Sequence, residues 1–187
     1  MLRRDLLPAA VIPLTFFLAS CAPITVGVHQ ARDVDFTAYR TFAWGPADAL
    51  PTGDPRLDNN PFFHDDLQGA VERHLHEHGI ALVDASDRPG LLVHYHAAVT
   101  QRIDVAALRE RQPQSGHYGE PAIAGSEPLI RGYDESTIVL DMIDARTGRL
   151  VWRGWAQESL QNFVNDQDAL KAHIETSVVQ MLKRLPI

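Results

Sequence analysis

Residues Thr137 to Trp155 alternate apolar and polar side chains on either side of Arg146-Thr147-Gly148, and no other stretch constrains the fold as much. A period of two belongs to a strand with one buried face. A three-residue connection ending in Gly fits a type I turn followed by a left-handed residue, so the segment reads as a β-hairpin. Pairing Ala145 with Arg149 sets the register. Asp144 then meets Leu150, Met142 meets Trp152, Leu140 meets Gly154 and Ile138 meets Ala156, all on one largely apolar face. The other face brings Ile143 to Val151, Asp141 to Arg153 and Val139 to Trp155. An opposed pair such as Asp141 and Arg153 is worth ~0.2–1 kcal/mol, and a slip by one residue would lose both the pair and the apolar face.

The rest of the chain supplies partners for that hairpin. Residues 22–34 read as a tether leading into a first strand around Ile24 to His29. Asp35 to Tyr39 reads as a single turn, and Arg40 to Trp44 as a second strand. Gly45 to Asn60 is rich in Pro and Gly and reads as a loop. Asn60 and Pro61 suit the N-cap and first position of a helix, with Phe63, Leu67, Val71 and Leu75 on its buried face and Gly79 closing it. Ile80 to Val83 is a further strand. From Leu91 to Val99, Leu91, Val93, Tyr95, Ala97 and Val99 share one face, and Leu92, His94, His96 and Ala98 the other. Residues 104–134 are the least regular stretch and read as a flap. A last helix from about Asp166 to Arg184 buries Leu170, Ile174, Val178, Met181 and Leu185. The order β-β-α-β-β-β-β-α predicts an α+β two-layer sandwich, a mainly antiparallel sheet with two helices on one face.

The N-terminus is an address. Arg3 and Arg4 precede an apolar run from Leu6 to Ala19, and Leu18-Ala19-Ser20-Cys21 closes it with small residues and the chain's one cysteine. This is the pattern of a bacterial secretory signal ending in a lipobox, with residues 1–20 removed and Cys21 acylated. The run is too short, and too broken by Pro8 and Pro13, to span the ~30 Å of a bilayer. Sec export is favoured over the twin-arginine route, because the residues that usually flank the arginine pair are absent. Ala22 rather than Asp after the lipidated residue points to the periplasmic leaflet of the outer membrane.

Composition then limits what residues 21–187, read as one periplasmic domain, can do. The net charge is −7, and loss of Arg3, Arg4 and Asp5 makes the mature chain one unit more acidic. Such a chain lacks the basic footprint of a nucleic-acid binder. It also lacks a polybasic patch to hold it on anionic lipid, so attachment falls to Cys21. With that thiol acylated, none remains for a disulfide or a metal.

Two segments carry a resemblance to a known family: Asp35-Phe36-Thr37-Ala38-Tyr39-Arg40-Thr41-Phe42-Ala43-Trp44, and the hairpin from Leu140 to Ala156. They resemble the bacterial lipoprotein family of the domain of unknown function 4136, and Leu91 to His96 is similar to its central strand. Ser136 stands where a Gly is common in the family. The resemblance runs from about Val26 to Pro186. It implies a periplasmic, membrane-anchored α+β domain and brings no catalytic residues with it.

Chemistry is sparse. Of nine histidines, His74 and His78 lie four apart on the first helix, and His94 and His96 lie two apart on one strand face. Either spacing can chelate a metal, so a shared site, with Asp141 as a possible further ligand, is the metal candidate. No H-E-x-x-H motif supports it, since Glu77 lies between His76 and His78. There is no G-x-S-x-G elbow, no Gly-rich phosphate loop and no sign of a cofactor, and Asp141 and Asp144 fall on opposite sheet faces. The hairpin motif also resembles one β-propeller blade, but it occurs once and a propeller needs repeats. The sheet face away from the helices is the more informative surface. It should carry His94, His96, Asp141, Arg153 and Trp155, a contact patch suited to an envelope protein or a glycan. The leading expectation is a non-enzymatic outer-membrane lipoprotein that binds a partner or maintains the envelope. The alternative is a His-based metal-binding or hydrolytic domain.

Overall fold

The computed structural model describes residues 24–46, 51–103, 132–160 and 163–187. Six strands form one sheet: β1 (Thr25–Gln30), β2 (Thr41–Trp44), β3 (Ala81–Leu82), β4 (Leu91–Ile103), β5 (Gly132–Asp144) and β6 (Leu150–Ser159). Their spatial order is β1-β6-β5-β4-β2-β3. The helices are α1 (Pro55–Asp58), α2 (Phe63–Glu77) and α3 (Gln167–Leu182), with 3-10 turns at Phe36–Ala38 and Ala85–Asp87.

β4, β5 and β6 form an antiparallel meander, and β1 joins β6 antiparallel at one edge. β2 runs parallel to both β3 and β4, so the sheet is mixed, though its long pairings are antiparallel. A parallel neighbour needs a crossover, and α2 supplies it between β2 and β3.

Leu91, Val93, Ile138, Leu140, Met142, Trp152 and Ala156 share one sheet face and a single apolar cluster with Leu67, Val71 and Leu75 of α2 and Leu170, Ile174, Val178 and Met181 of α3. Both long helices therefore cover the same face. Each of the larger side chains contributes about 1.5–3 kcal/mol by leaving water. The α2 stripe ends in a tight cap. Gly79 takes a left-handed φ of 77°, and the amides of Gly79 and Ile80 donate to the carbonyls of His76 and Leu75.

Four expectations need correction. Helix α2 begins at Phe63 and not at Pro61, because the Asn60 side chain accepts from the Phe62 amide (2.9 Å) and holds Asn60 to Phe63 as a turn. The stretch from Gly45 to Asn60 contains α1, which Asp54 caps through the Arg56 amide, with Pro55 at its first position. The hairpin register holds from Ile138–Ala156 to Met142–Trp152, but a bulge at Val151 then pairs Ile143 with Leu150. Residues 132–134 belong to β5, pairing with Ile103, Arg102 and Gln101, and not to a flap. The remainder of that segment, 104–131, lies outside the described residues, as do the signal segment and Cys21.

Candidate functional site

The helix-free face of the sheet is built by register. His94 on β4 stands opposite Asp141 on β5, Asp141 opposite Arg153 on β6, and Arg153 opposite His29 on β1. One step along, His96, Val139, Trp155 and Gly27 form a second row across the same four strands. Directly opposed residues point to the same side, so all five expected face residues come together, and His29 joins them.

The first row is organised by an ion pair. Arg153 places its planar fork on Asp141, Nε to Oδ1 at 2.6 Å and Nη2 to Oδ2 at 2.5 Å. Bidentate pairs of this kind add orientation as well as energy. The Asp141 bond raises the Arg153 guanidinium further above its usual range, against the opposing pull of burial. Asp141 is buried while the Arg153 side chain remains 45 % exposed. A buried carboxylate thus aims a cation at solvent.

Aromatic rings flank that cation, seated on glycines. A Cβ at Gly27 would lie 1.9 Å from Trp155 Cζ2, so the indole occupies the space above that strand position. The His29 ring lies 5.3 Å from the Trp155 ring, tilted by 33°. A Cβ at Gly45 would meet the His94 imidazole at 2.1 Å. His96 is exposed, and His94 and Trp155 are half-buried. Gly27, His29 and Gly45 were not singled out from sequence. Alternation puts Gly27 and His29 on one face of β1, but only the pairing of β1 with β6 tells which neighbours they meet.

The metal candidates do not assemble. His74 is held on the helix layer between two carboxylates, Nδ1 to Glu77 and Nε2 to Glu175, each at 3.0 Å. His78 Nδ1 lies 2.6 Å from the His74 carbonyl. His94 and His96 face the other side of the sheet, so the two pairs are separated by its thickness. No group of three His, Cys, Asp or Glu able to hold an ion occurs among the described residues. Asp144 is likewise apart from Asp141. It accepts from the Tyr39 hydroxyl (2.8 Å) and from the Thr147 amide and hydroxyl.

The family whose description reads Domain of unknown function (DUF4136) matches residues 26–187. The chain belongs to this family. No curated relative matches the DUF4136 chain. Among solved structures it is similar to a PDZ domain protein from Parabacteroides distasonis, 18 % identical with a TM-score of 0.52, covering 88 % of this chain and 37 % of that one. The DUF4136 chain thus spans little more than a third of that protein's length. It is also similar to a DUF4136 family protein from Bacteroides thetaiotaomicron (12 % identity, TM-score 0.48, 84 % and 95 % of the two chains). A third similar structure is the PelC dodecamer from Paraburkholderia phytofirmans (11 %, TM-score 0.47, 86 % and 95 %). At 18 % identity the first of these likenesses speaks to fold alone.

Proposed function

We propose that this DUF4136 protein is a lipid-anchored module of the bacterial envelope that works by binding, with the helix-free sheet face as its contact surface. The observation that carries the reading is the gathering of Arg153, Trp155 and three imidazoles on one rigid face, with Asp141 buried beneath them to hold the guanidinium outward. Arg and Trp are the side chains that most often dominate contact energy, and the sheet fixes them before a partner arrives. Attachment is assigned to Cys21, four residues before β1, which leaves a tether of at most roughly 14 Å. More than one acyl chain at that residue makes such an anchor durable, and Ala22 supports the periplasmic leaflet of the outer membrane as its place. No helix among the described residues is long and apolar enough to cross a membrane.

Two measurements test this. Cys21→Ala is expected to move the protein from the membrane to the soluble envelope fraction, with loss of the acylated N-terminal peptide by mass spectrometry; unchanged fractionation refutes the anchor. Affinity capture from detergent-solubilised envelope then compares Trp155→Ala with Lys171→Ala on α3. Partners lost only from the first support the face, and identical captures exclude it.

A further inference from the structure

Arginine pairing divides the molecule. Arg56, Arg73, Arg102 and Arg153 each bond a carboxylate, and Arg40 and Arg184 each bond a backbone carbonyl. The guanidiniums of Arg32, Arg88, Arg146 and Arg149 make no hydrogen bond or salt bridge with any described residue. All four lie in the chain at or near positions that meet the β5–β6 turn. Arg146 and Arg149 belong to the turn itself. Arg32 follows Ala31, whose amide donates to the Val151 carbonyl, and Arg88 lies two residues before Gly90, whose carbonyl accepts from Ala145. Strong bidentate donors with no acceptor among the described residues are unusual enough in an acidic chain to ask what they await.

A cleft of about 300 Å³ opens at the turn, lined by two of them, Arg146 and Arg149, and by Asp33 and Asp35. Tyr39, Val34 and Val151 also line it and offer apolar surface to a short aliphatic body. Asp33 has neither hydrogen bond nor salt bridge with a described residue. Asp35 engages Thr37 through Oδ1 alone, so Oδ2 is open. The third carboxylate, Asp144, is occupied by Tyr39 and Thr147. Both signs of charge therefore line the cleft, with donors and acceptors that no described residue engages. A simple anion would meet Asp33 and Asp35, and a simple cation would meet the two guanidiniums. The volume sits at the small end of ligand sites, which run about 300–1,000 Å³.

We propose that this cleft binds a small zwitterion, a free amino acid or short peptide whose carboxylate is taken by Arg146 and Arg149 and whose ammonium is taken by Asp33 and Asp35. The site lies at the opposite end of the sheet from Thr25, where β1 begins, and is separate from the contact face around Trp155.

The test titrates the full chain in detergent with alanyl-alanine, by calorimetry and by amide chemical shifts. Saturable binding is expected, with shifts at residues 144–150. N-acetyl-alanyl-alanine, which lacks the ammonium, and alanyl-alanine amide, which lacks the carboxylate, should each bind at least tenfold more weakly. Inorganic phosphate should not compete. Arg149→Gln should weaken binding tenfold or more, with the melting temperature unchanged because the side chain is exposed, while Trp155→Ala leaves it intact. Should Arg149→Gln disturb the turn, Arg149→Lys and the shift map of the unmutated chain give the same reading. Absence of saturation, equal binding of either blocked dipeptide, or competition by phosphate overturns the proposal.

Discussion

Single residues show where this fold tolerates loss. Trp152 is fully buried, opposite Met142, yet its indole N–H has no hydrogen-bond partner among the described residues. An unpaired buried donor contributes nothing that a carbon ring would lose. Trp152→Phe is therefore expected to cost only about 1–1.5 kcal/mol, from packing, against about 3–5 kcal/mol for Trp152→Ala. Urea denaturation of both variants checks this, and equal costs would show that the N–H is satisfied. Tyr39 behaves differently. Burial, together with its bond to Asp144 and the charge of that carboxylate, pushes the phenol up from 10.0 to about 12. Burial alone would raise Asp144 too, but bonds from Thr147 and Tyr39, with Arg146 nearby, hold its carboxyl below the usual range. The neutral phenol is favoured in the fold, so its contribution is complete below pH 10 and is lost as pH rises towards about 12. The Asp144 contribution runs the other way, present above pH 3.8 and lost in more acid solution as pH falls through its lowered value. Tyr39→Phe should flatten the alkaline fall in melting temperature between pH 9 and pH 12, and an unchanged slope would refute the linkage.

At the scale of elements, α3 is docked by a buried carboxylate as well as by its apolar stripe. Glu158, near the end of β6, accepts from the Ser177 hydroxyl (3.0 Å), and its other oxygen lies 2.6 Å from His173 Nδ1. His173 in turn stacks on Phe163 at 3.7 Å. Glu158→Ala would leave the Ser177 hydroxyl buried without that acceptor, at a cost of about 1–3 kcal/mol. Ser177→Ala in the Glu158→Ala background should then cost less than Ser177→Ala alone, and strict additivity would deny the coupling. None of this network stood out in the sequence, because Glu158, His173 and Ser177 meet only when β6 and α3 pack. Elements with their own periodicity were legible: both long helices, β4, and the hairpin as far as Met142–Trp152. The hairpin loop is one residue longer than the spacing predicts. Asp144 captures the amide and hydroxyl of Thr147, Gly148 takes φ 68°, and Arg149 comes opposite Asp144. A four-residue turn results, and the bulge at Val151 restores the alternation. The signal was present in the Asp144-to-Thr147 spacing, which suits a side-chain-closed turn. For the contact face, alternation fixed which residues share a side, but not that β1 would bring His29 alongside.

The whole molecule turns on a pairing that sequence distance hides. Ile103 at the end of β4 pairs with Gly132 at the start of β5, so the two ends of the segment 104–131 are held together by the sheet ladder itself. Closing β4 onto β5 in the unfolded chain must therefore gather a loop of roughly thirty residues where a turn of about four would serve. Loop closure costs about 0.6 kcal/mol per doubling of length, and three doublings amount to roughly 1.7 kcal/mol. Replacing 104–131 with a four-residue Gly-Asn-containing turn is expected to keep the sheet and raise stability by up to that amount, read as an upward shift of the urea midpoint. Lower stability would mean that the segment packs on the sheet and belongs to the fold. The same variant bears on function. Retention of dipeptide binding at the β5–β6 turn is required, since that cleft lies at the far end of the sheet from Ile103 and Gly132. Loss of envelope partners together with gained stability would assign the segment a role in recognition rather than in holding the domain together, because loop length that weakens a fold is kept where it does something else.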